Sequence, residues 1–135
     1  MAWQTPKTDW TADDYYNIAD INRWKNNLLE VKALAEELFG DISTVTMYVD
    51  KTLTDYPLAS EINAIESNLE TLNVSTYNID LGTTKTYTKY TVPYDEINRI
   101  ESAELKLYAT LIVQKDILRR LAFTLGGARY FDVAR

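Results

Sequence analysis

Three segments of the chain begin with the same short pattern, and this internal repeat constrains the fold more than any other feature. The pattern is an acidic residue, isoleucine, asparagine, any residue, a large apolar residue and a charged residue. Its copies are residues 20–25 (DINRWK), 61–66 (EINAIE) and 96–101 (EINRIE). A Lys-Thr pair precedes each copy, at residues 7–8, 51–52 and 85–86. The repeat predicts three similar structural units in one chain.

Each copy opens a stretch in which apolar residues recur in steps of three and four, the spacing of one helix face. The spacing predicts helices at about 18–39, 58–73 and 93–125. Asn17 fits an N-cap whose capping box is completed by Asp20, and Gly40 fits a C-terminal stop. We expect the packing and interface face to consist of ten apolar residues, namely Ile21, Trp24, Leu28, Ile62, Ile65, Leu69, Ile97, Ile100, Leu107 and Leu111.

None of these helices can bury its apolar face alone, so we predict a mainly α fold, three-helix bundle-like, with long first and last helices. Residues 1–135 then form a single domain, in which residues 1–16 are an extended N-terminal segment. The third helix is long for such a domain, so it either kinks or projects and pairs with another chain. Two threonine- and tyrosine-rich stretches, 42–49 and 83–92, favour a small β-ribbon.

Composition excludes several classes of function. The chain has no cysteine and no histidine, which removes disulfides, thiolate nucleophiles, Cys/His zinc sites and the usual general base. We therefore expect a protein that is not an enzyme and needs no cofactor or metal. A net charge of -6 argues against nucleic-acid binding. No apolar run is long enough for membrane insertion, and the first ten residues lack the apolar core of a signal peptide.

The opening of the chain carries a resemblance. Residues 6–11 (PKTDWT), 14–17 (DYYN) and 20–23 (DINR) resemble the openings of minor structural proteins of tailed bacteriophages and prophages of Gram-positive bacteria. In those proteins a Pro-Lys-Thr-x-Trp segment leads into an Asn-Arg-Ile-Glu helix start. Residues 98–101 match that start in full, whereas 63–66 lack the arginine and 22–25 replace Ile-Glu with Trp-Lys. With the two later copies, the resemblance covers about half of the chain.

This resemblance implies a virion structural or assembly protein of a tail or baseplate. It implies a homo-oligomer whose other partners are virion structural proteins, assembled in the cytoplasm of the bacterial host. It brings no catalytic residues with it.

Six polar residues are candidates for contacts with a partner, namely Asn22, Arg23, Asn98, Arg99, Arg119 and Arg120. Arginine presents a planar fork of donors that suits carboxylates on a partner. For the four residues in the repeat, the alternative is internal: asparagine bridges backbone groups and arginine pairs with a neighbouring acid. For the two residues near the end of the third helix, the alternative is a favourable interaction with the helix dipole.

The aromatic residues support a second hypothesis, a glycan- or cell-surface-binding module, because sugar rings stack on aromatic faces. Trp24 lies in the apolar face of the first helix and is predicted to be core, and Trp10 is predicted to pack over the helix start. Tyr87 and Tyr90 are the aromatic residues that we expect to be free for ligand stacking.

Overall fold

The computed structural model describes residues 2–52, 58–89 and 91–128, and contains three helices. They are α1 (Ile18–Phe39), α2 (Ala59–Ser75) and α3 (Tyr94–Ala128). The helices pack against one another, so the predicted mainly α, bundle-like fold is confirmed. The predicted ends differ from the observed ones by no more than three residues.

The helix termini follow from local side chains. The Asn17 Oδ1 accepts the N–H of Asp20 at 3.1 Å, and an Asp20 carboxylate oxygen accepts the N–H of Asn17 at 2.8 Å, which forms the predicted capping box. Gly40 ends α1 with φ at +90°, a conformation that favours glycine, and donates its N–H to the Glu36 carbonyl at 2.9 Å. At α2, the Leu58 N–H donates to Glu61 at 2.9 Å.

The three helices run parallel. Lys51, which precedes α2, lies against Asn22 at the start of α1, and its ammonium is 2.7 Å from Glu61 at the start of α2. Arg23 of α1 likewise contacts Glu101 in the first turns of α3. All three helices therefore start at the same end of the bundle. Each connecting segment runs back along the bundle, from the C-terminal end of one helix to the N-terminal end of the next.

The core lies between the apolar faces of the helices. All ten residues expected on the packing face are buried, and Trp24, Leu28, Ile65 and Leu107 have almost no exposed surface. Fully burying one such side chain contributes about 1.5–3 kcal/mol. The connecting segments add Trp10, Ile42 and Val92 to the same core.

The expected β-ribbon is not formed. Neither residues 42–49 nor the described residues of 83–92 lie in a strand. Backbone groups of both segments instead pair with asparagine side chains on the helices. These backbone groups are therefore not available to pair with a neighbouring strand. The ribbon prediction was wrong because residue preference alone cannot show which groups the backbone will pair with.

α3 extends beyond the rest of the bundle. Phe39, the last residue of α1, and Lys115 of α3 both stand 17 positions after the asparagine of their repeat. At this level Lys115 pairs with Glu37 at 3.1 Å. We call residues 116–128 the overhang; all of its residues from 116 to 123 are exposed. α3 is one continuous helix as far as Ala128, so it continues past the level at which α1 ends.

Candidate functional site

The asparagine of each repeat holds a connecting segment through its backbone. In each case the Nδ2 group donates to a carbonyl and the Oδ1 atom accepts from the N–H of that same residue. Asparagine suits this role because its amide offers a donor and an acceptor side by side, as a peptide group does. These asparagine clamps are Asn22 with Lys51, Asn63 with Tyr87 and Asn98 with Trp10, at N···O distances of 2.7–3.0 Å.

The clamps follow a cyclic order. α1 holds the segment before α2, α2 holds the segment before α3, and α3 holds the segment before α1. The three units therefore close into a ring with approximate threefold symmetry. The N-terminal segment completes this ring, and it is further fixed by Trp3, which stacks on Tyr108 with ring centroids 3.8 Å apart.

A second layer of clamps lies five residues further along. Asn27 pairs with the backbone of Gln4, and Asn68 pairs with that of Val45, at 2.7–2.9 Å. Here each helix holds the segment that precedes it. The equivalent residue of α3 is Ala103, which has no amide, so the second layer has two members instead of three.

The acid three residues after the clamp asparagine is buried and paired. Glu101 has no exposed surface and accepts from the Lys7 N–H at 3.0 Å and the Trp10 indole N–H at 2.7 Å. Two N–H groups of Arg23 also donate to it, each at 2.9 Å. Arg23 in turn contacts Asp20 at 2.7 Å. This buried carboxylate is held by four hydrogen bonds, which offset its desolvation.

The equivalent site on α2 has the same plan. Glu66 is buried, accepts from the Tyr87 hydroxyl at 2.6 Å and pairs with Arg99, which also contacts Glu96 at 2.7 Å. Burial raises the pKa of Tyr87, and the hydrogen bond to Glu66 acts in the same direction. Gly82, with φ at +87°, lies against Arg99 so closely that a Cβ atom would be 2.6 Å from the Arg99 Cδ.

The third interface departs from this plan at both of its positions. Lys25 replaces the buried acid, and Ala64 replaces the arginine that would reach it. Lys25 instead contacts Asp50 at 2.5 Å, and this hydrogen bond holds the pKa of Asp50 below its ordinary value. The two differences match each other, because an arginine facing Lys25 would repel it.

Glu104 has a different environment from the other buried acids. It has no exposed surface, and neither carboxyl oxygen has a hydrogen-bond partner among the described residues. In the repeat it occupies the place of Leu28 and Leu69. Burial raises the pKa of Glu104 well above its ordinary value, and the nearby charge of Glu101 raises it further.

These contacts correct part of the partner prediction. The polar groups of Asn22, Arg23, Asn98 and Arg99 are engaged inside the chain, as the internal alternative expected. Their side chains are thus not free to bind a partner. Arg119 and Arg120 lie exposed on the overhang, where Arg120 pairs with Asp116 at 2.9 Å, and their partner contacts stay a prediction.

The ligand-stacking prediction also needs correction. Tyr87 is partly buried against the core, and both its backbone and its hydroxyl are hydrogen bonded, so it is not free to stack on a ligand. Tyr90 lies outside the described residues. The sequence analysis also missed the buried acids Glu66 and Glu101. Their shared position, three residues after the clamp asparagine, was the signal that could have found them.

The overhang carries an exposed apolar face that continues the core. Along α3 a stripe recurs in steps of four and three, comprising Leu107, Leu111, Gln114, Leu118 and Leu121. The first two leucines are fully buried against the bundle, whereas Leu118 is 41% and Leu121 49% exposed. Ile117 widens the exposed part. The same face of α3 is therefore covered by α1 and α2 before residue 115 and is exposed after it.

A groove of about 520 Å³ lies at the opposite end of the bundle, between the starts of α1 and α3. Its lining is mainly apolar and includes Trp10, Ile21 and Ile97. Tyr15, which is 92% exposed, and Tyr94 also line it.

Among residues 2–52, 58–89 and 91–128 no group of three acids is placed to hold a metal ion. None of the helices in that part of the chain is long and apolar enough to span a membrane. No protein family, curated protein or solved structure matches the chain.

Proposed function

We propose that the chain is a structural or assembly protein of a phage or prophage virion, acting by helix packing and self-association in a tail or baseplate. It is not an enzyme, needs no cofactor, and is assembled into the virion in the host cytoplasm. The exposed apolar face of the overhang carries the self-association. The resemblance of the N-terminal residues to phage structural proteins supports the virion setting.

The overhang is a poor candidate for a helix that functions alone in water. Its 13 residues span about 20 Å, and isolated helices of this length are marginal in water. Covering its apolar side chains would contribute about 25 cal/mol for each Å² removed from water. A partner helix on this face would therefore stabilise both the overhang and the assembly.

Sedimentation equilibrium of the full chain tests the self-association. We expect an oligomer for the natural sequence and a monomer for the double variant Leu118→Ser/Leu121→Ser, because the apolar face is interrupted at its centre. Ile112→Ser is the matched control: Ile112 is 41% exposed, as Leu118 is, but lies on another side of α3, so this variant should remain oligomeric. A natural chain that stays monomeric at high concentration would contradict the proposal.

The virion setting has its own test. Phage particles purified from a strain that carries the gene should contain the protein, detected by mass spectrometry in proportion to known tail proteins. Detection only in the soluble lysate, with particles free of it, would rule out a virion component.

The N-terminal groove favours a second candidate function, binding of a cell-surface glycan. Tyr15 and Tyr94 provide exposed rings on which a sugar could stack, and Asp14 and Asn17 add polar groups to the lining. A glycan array should then show binding that Tyr15→Ala and Tyr94→Ala each weaken. An array without binding would remove this candidate.

A further inference from the structure

We propose that the bundle opens at one defined place, the interface between α2 and α3, when the carboxyl group of Glu104 loses its proton. This interface lies within one chain, so its opening does not depend on the proposed self-association. Three features distinguish it from the other two interfaces: a missing clamp, a cavity, and a buried acid without a hydrogen-bond partner.

The other two segments are each clamped to two helices. Asn98 of α3 and Asn27 of α1 hold the N-terminal segment. Asn22 of α1 and Asn68 of α2 hold the segment before α2. Each of these segments therefore joins the helix that it precedes to a neighbouring helix.

The segment before α3, residues 76–93, is clamped to α2 alone. Asn63 holds Tyr87. Asn73, near the end of α2, donates to the Ile79 carbonyl at 2.6 Å and accepts the N–H of Ile79 at 3.0 Å. Both clamps come from the helix that this segment follows, so they do not join the segment to α3.

The clamp that would join this segment to α3 is missing. Asn27 and Asn68 each hold a residue that stands 23 positions earlier. The same spacing relates Ala103 to Asp80, whose backbone N–H and carbonyl make no hydrogen bond within the described part of the chain. A cavity of about 250 Å³ is lined by both residues. The contact between α2 and α3 is also the smallest of the three helix pairs.

The polar group of this layer lies in the core instead of against the segment. Residues 27–28 and 68–69 are Asn-Leu, whereas residues 103–104 are Ala-Glu. Glu104 has no exposed surface, and its carboxyl oxygens have no hydrogen-bond partner among the described residues. A charge in such a place is costly unless it is paired.

The groups around Glu104 give its charge no free partner. Burial raises the pKa of Glu104, and the charge of Glu101 on the same helix raises it further. Arg23 of α1 acts in the opposite direction, but its guanidinium already holds two acids, of which Glu101 is one. Tyr48, from the segment before α2, donates its hydroxyl to a backbone carbonyl, and α2 contributes Leu69, which does not titrate.

Opening of the interface lets water reach the carboxyl group. The closed chain holds Glu104 protonated, whereas the open chain releases this proton, because a solvated glutamic acid has its ordinary pKa. The equilibrium constant for opening should therefore rise by about tenfold at most for each pH unit above the ordinary pKa. This rise ends when the pH reaches the raised pKa of the closed chain. Asn98 and Glu101 keep α3 attached to the N-terminal segment.

The reaction of a buried thiol with iodoacetamide tests the opening, since the chain has no cysteine of its own. Ala103→Cys places the thiol beside the cavity, at a residue that is 1% exposed. We expect it to react at least tenfold faster than the global unfolding of the same variant, measured in urea, would allow. The labelling rate of Ala103→Cys, divided by that of Ala103→Cys/Glu104→Gln, should rise between about pH 6 and 8. The ionisation of the thiol itself cancels in this ratio.

Ala64→Cys is the matched control, because Ala64 is a buried alanine of α2 on the side of Lys25 and α1. Its labelling rate, divided by that of Ala64→Cys/Glu104→Gln, should not change with pH. A ratio at position 103 that is constant with pH, or labelling there no faster than global unfolding, overturns the proposal. A ratio that rises equally at both positions also overturns it, since Glu104 would then destabilise the whole bundle. A monomeric chain would remove the proposed self-association and leave these outcomes unchanged.

Discussion

At the scale of single residues, the three units differ most at one layer of the core. Leu28, Leu69 and Glu104 occupy the same position in the repeat and are all buried, but only the third is ionisable. A carboxyl group without a hydrogen-bond partner is costly in such a place, and more so when charged. The neighbouring Glu101 shows the opposite case, since four hydrogen bonds hold it at the same depth.

Replacing Glu104 with the leucine of the other two units should therefore stabilise the protein. We expect Glu104→Leu to raise the free energy of unfolding at pH 7 by about 2 kcal/mol, the scale of a buried polar group left without a partner. The control is Glu101→Leu, which removes the carboxylate that accepts from Arg23 and from the Trp10 indole and should destabilise by about 3–5 kcal/mol. Urea unfolding of both variants measures the two changes; a loss of stability in Glu104→Leu would contradict this account.

The same residue predicts a pH dependence. Because burial raises the pKa of Glu104, the folded chain holds a proton that the unfolded chain releases. The contribution of Glu104 to the free energy of unfolding is most favourable below the ordinary glutamate pKa. This contribution is lost as the pH rises towards the raised pKa of the folded chain. The stability gained in Glu104→Leu should then be larger at pH 7 than at pH 4. A gain that does not change with pH would show that the carboxyl group keeps the same pKa in both states.

At the scale of elements, the connecting segments are ordered without forming secondary structure. Lys51, Tyr87 and Trp10 have their backbone N–H groups bonded to asparagine side chains rather than to a strand. An amide in this setting is protected from solvent for as long as its helix and segment stay together. The clamps thus give irregular segments the order that a sheet would otherwise supply.

Hydrogen exchange can show this directly. We expect the amides of Trp10, Lys51 and Tyr87 to exchange at least tenfold more slowly than unbonded amides in the same segments. Asn98→Ala removes both clamp bonds to Trp10 and should release that amide, at a cost of about 1–3 kcal/mol in stability. Asn22→Ala is the matched variant and should release Lys51 while Trp10 stays protected. Equal exchange of all three amides in both variants would count against the clamps.

The helices can be predicted well from the sequence, whereas the long-range hydrogen bonds of their side chains cannot, for a physical reason. Apolar spacing and local caps such as Asn17 depend on neighbours in sequence, so the ends of α1, α2 and α3 are predicted to within three residues. The clamp of Asn98 on Trp10 joins residues 88 positions apart, and no local pattern contains it. The repeat indicates that the three asparagines share a role, but it does not contain the distant backbone groups to which they bind.

At the scale of the whole molecule, the ring order of the clamps ties the two ends of the sequence together. In an open array of repeats each unit contacts only its neighbours, and the array can unfold from one end. Here the N-terminal segment lies against α3 through Asn98, Glu101 and Tyr108, so the first and third units are neighbours too. No unit within the described chain is a free end.

This closure predicts a single cooperative unfolding transition. Tryptophan fluorescence reports on Trp3 and Trp10 in the N-terminal segment and on Trp24 in α1, whereas far-UV circular dichroism reports on all three helices. In urea the two signals should change together, because releasing the N-terminal segment uncovers Glu101 and disrupts its pairing with α1.

Opening the ring should separate the two signals. We expect Asn98→Ala to move the fluorescence change to lower urea than the loss of helix. Both proteins are best measured with Leu118→Ser/Leu121→Ser in place, so that association does not add to stability. If the two signals already separate in the protein with Asn98 intact, the N-terminal segment is not coupled to the bundle, and the three units behave as an open array.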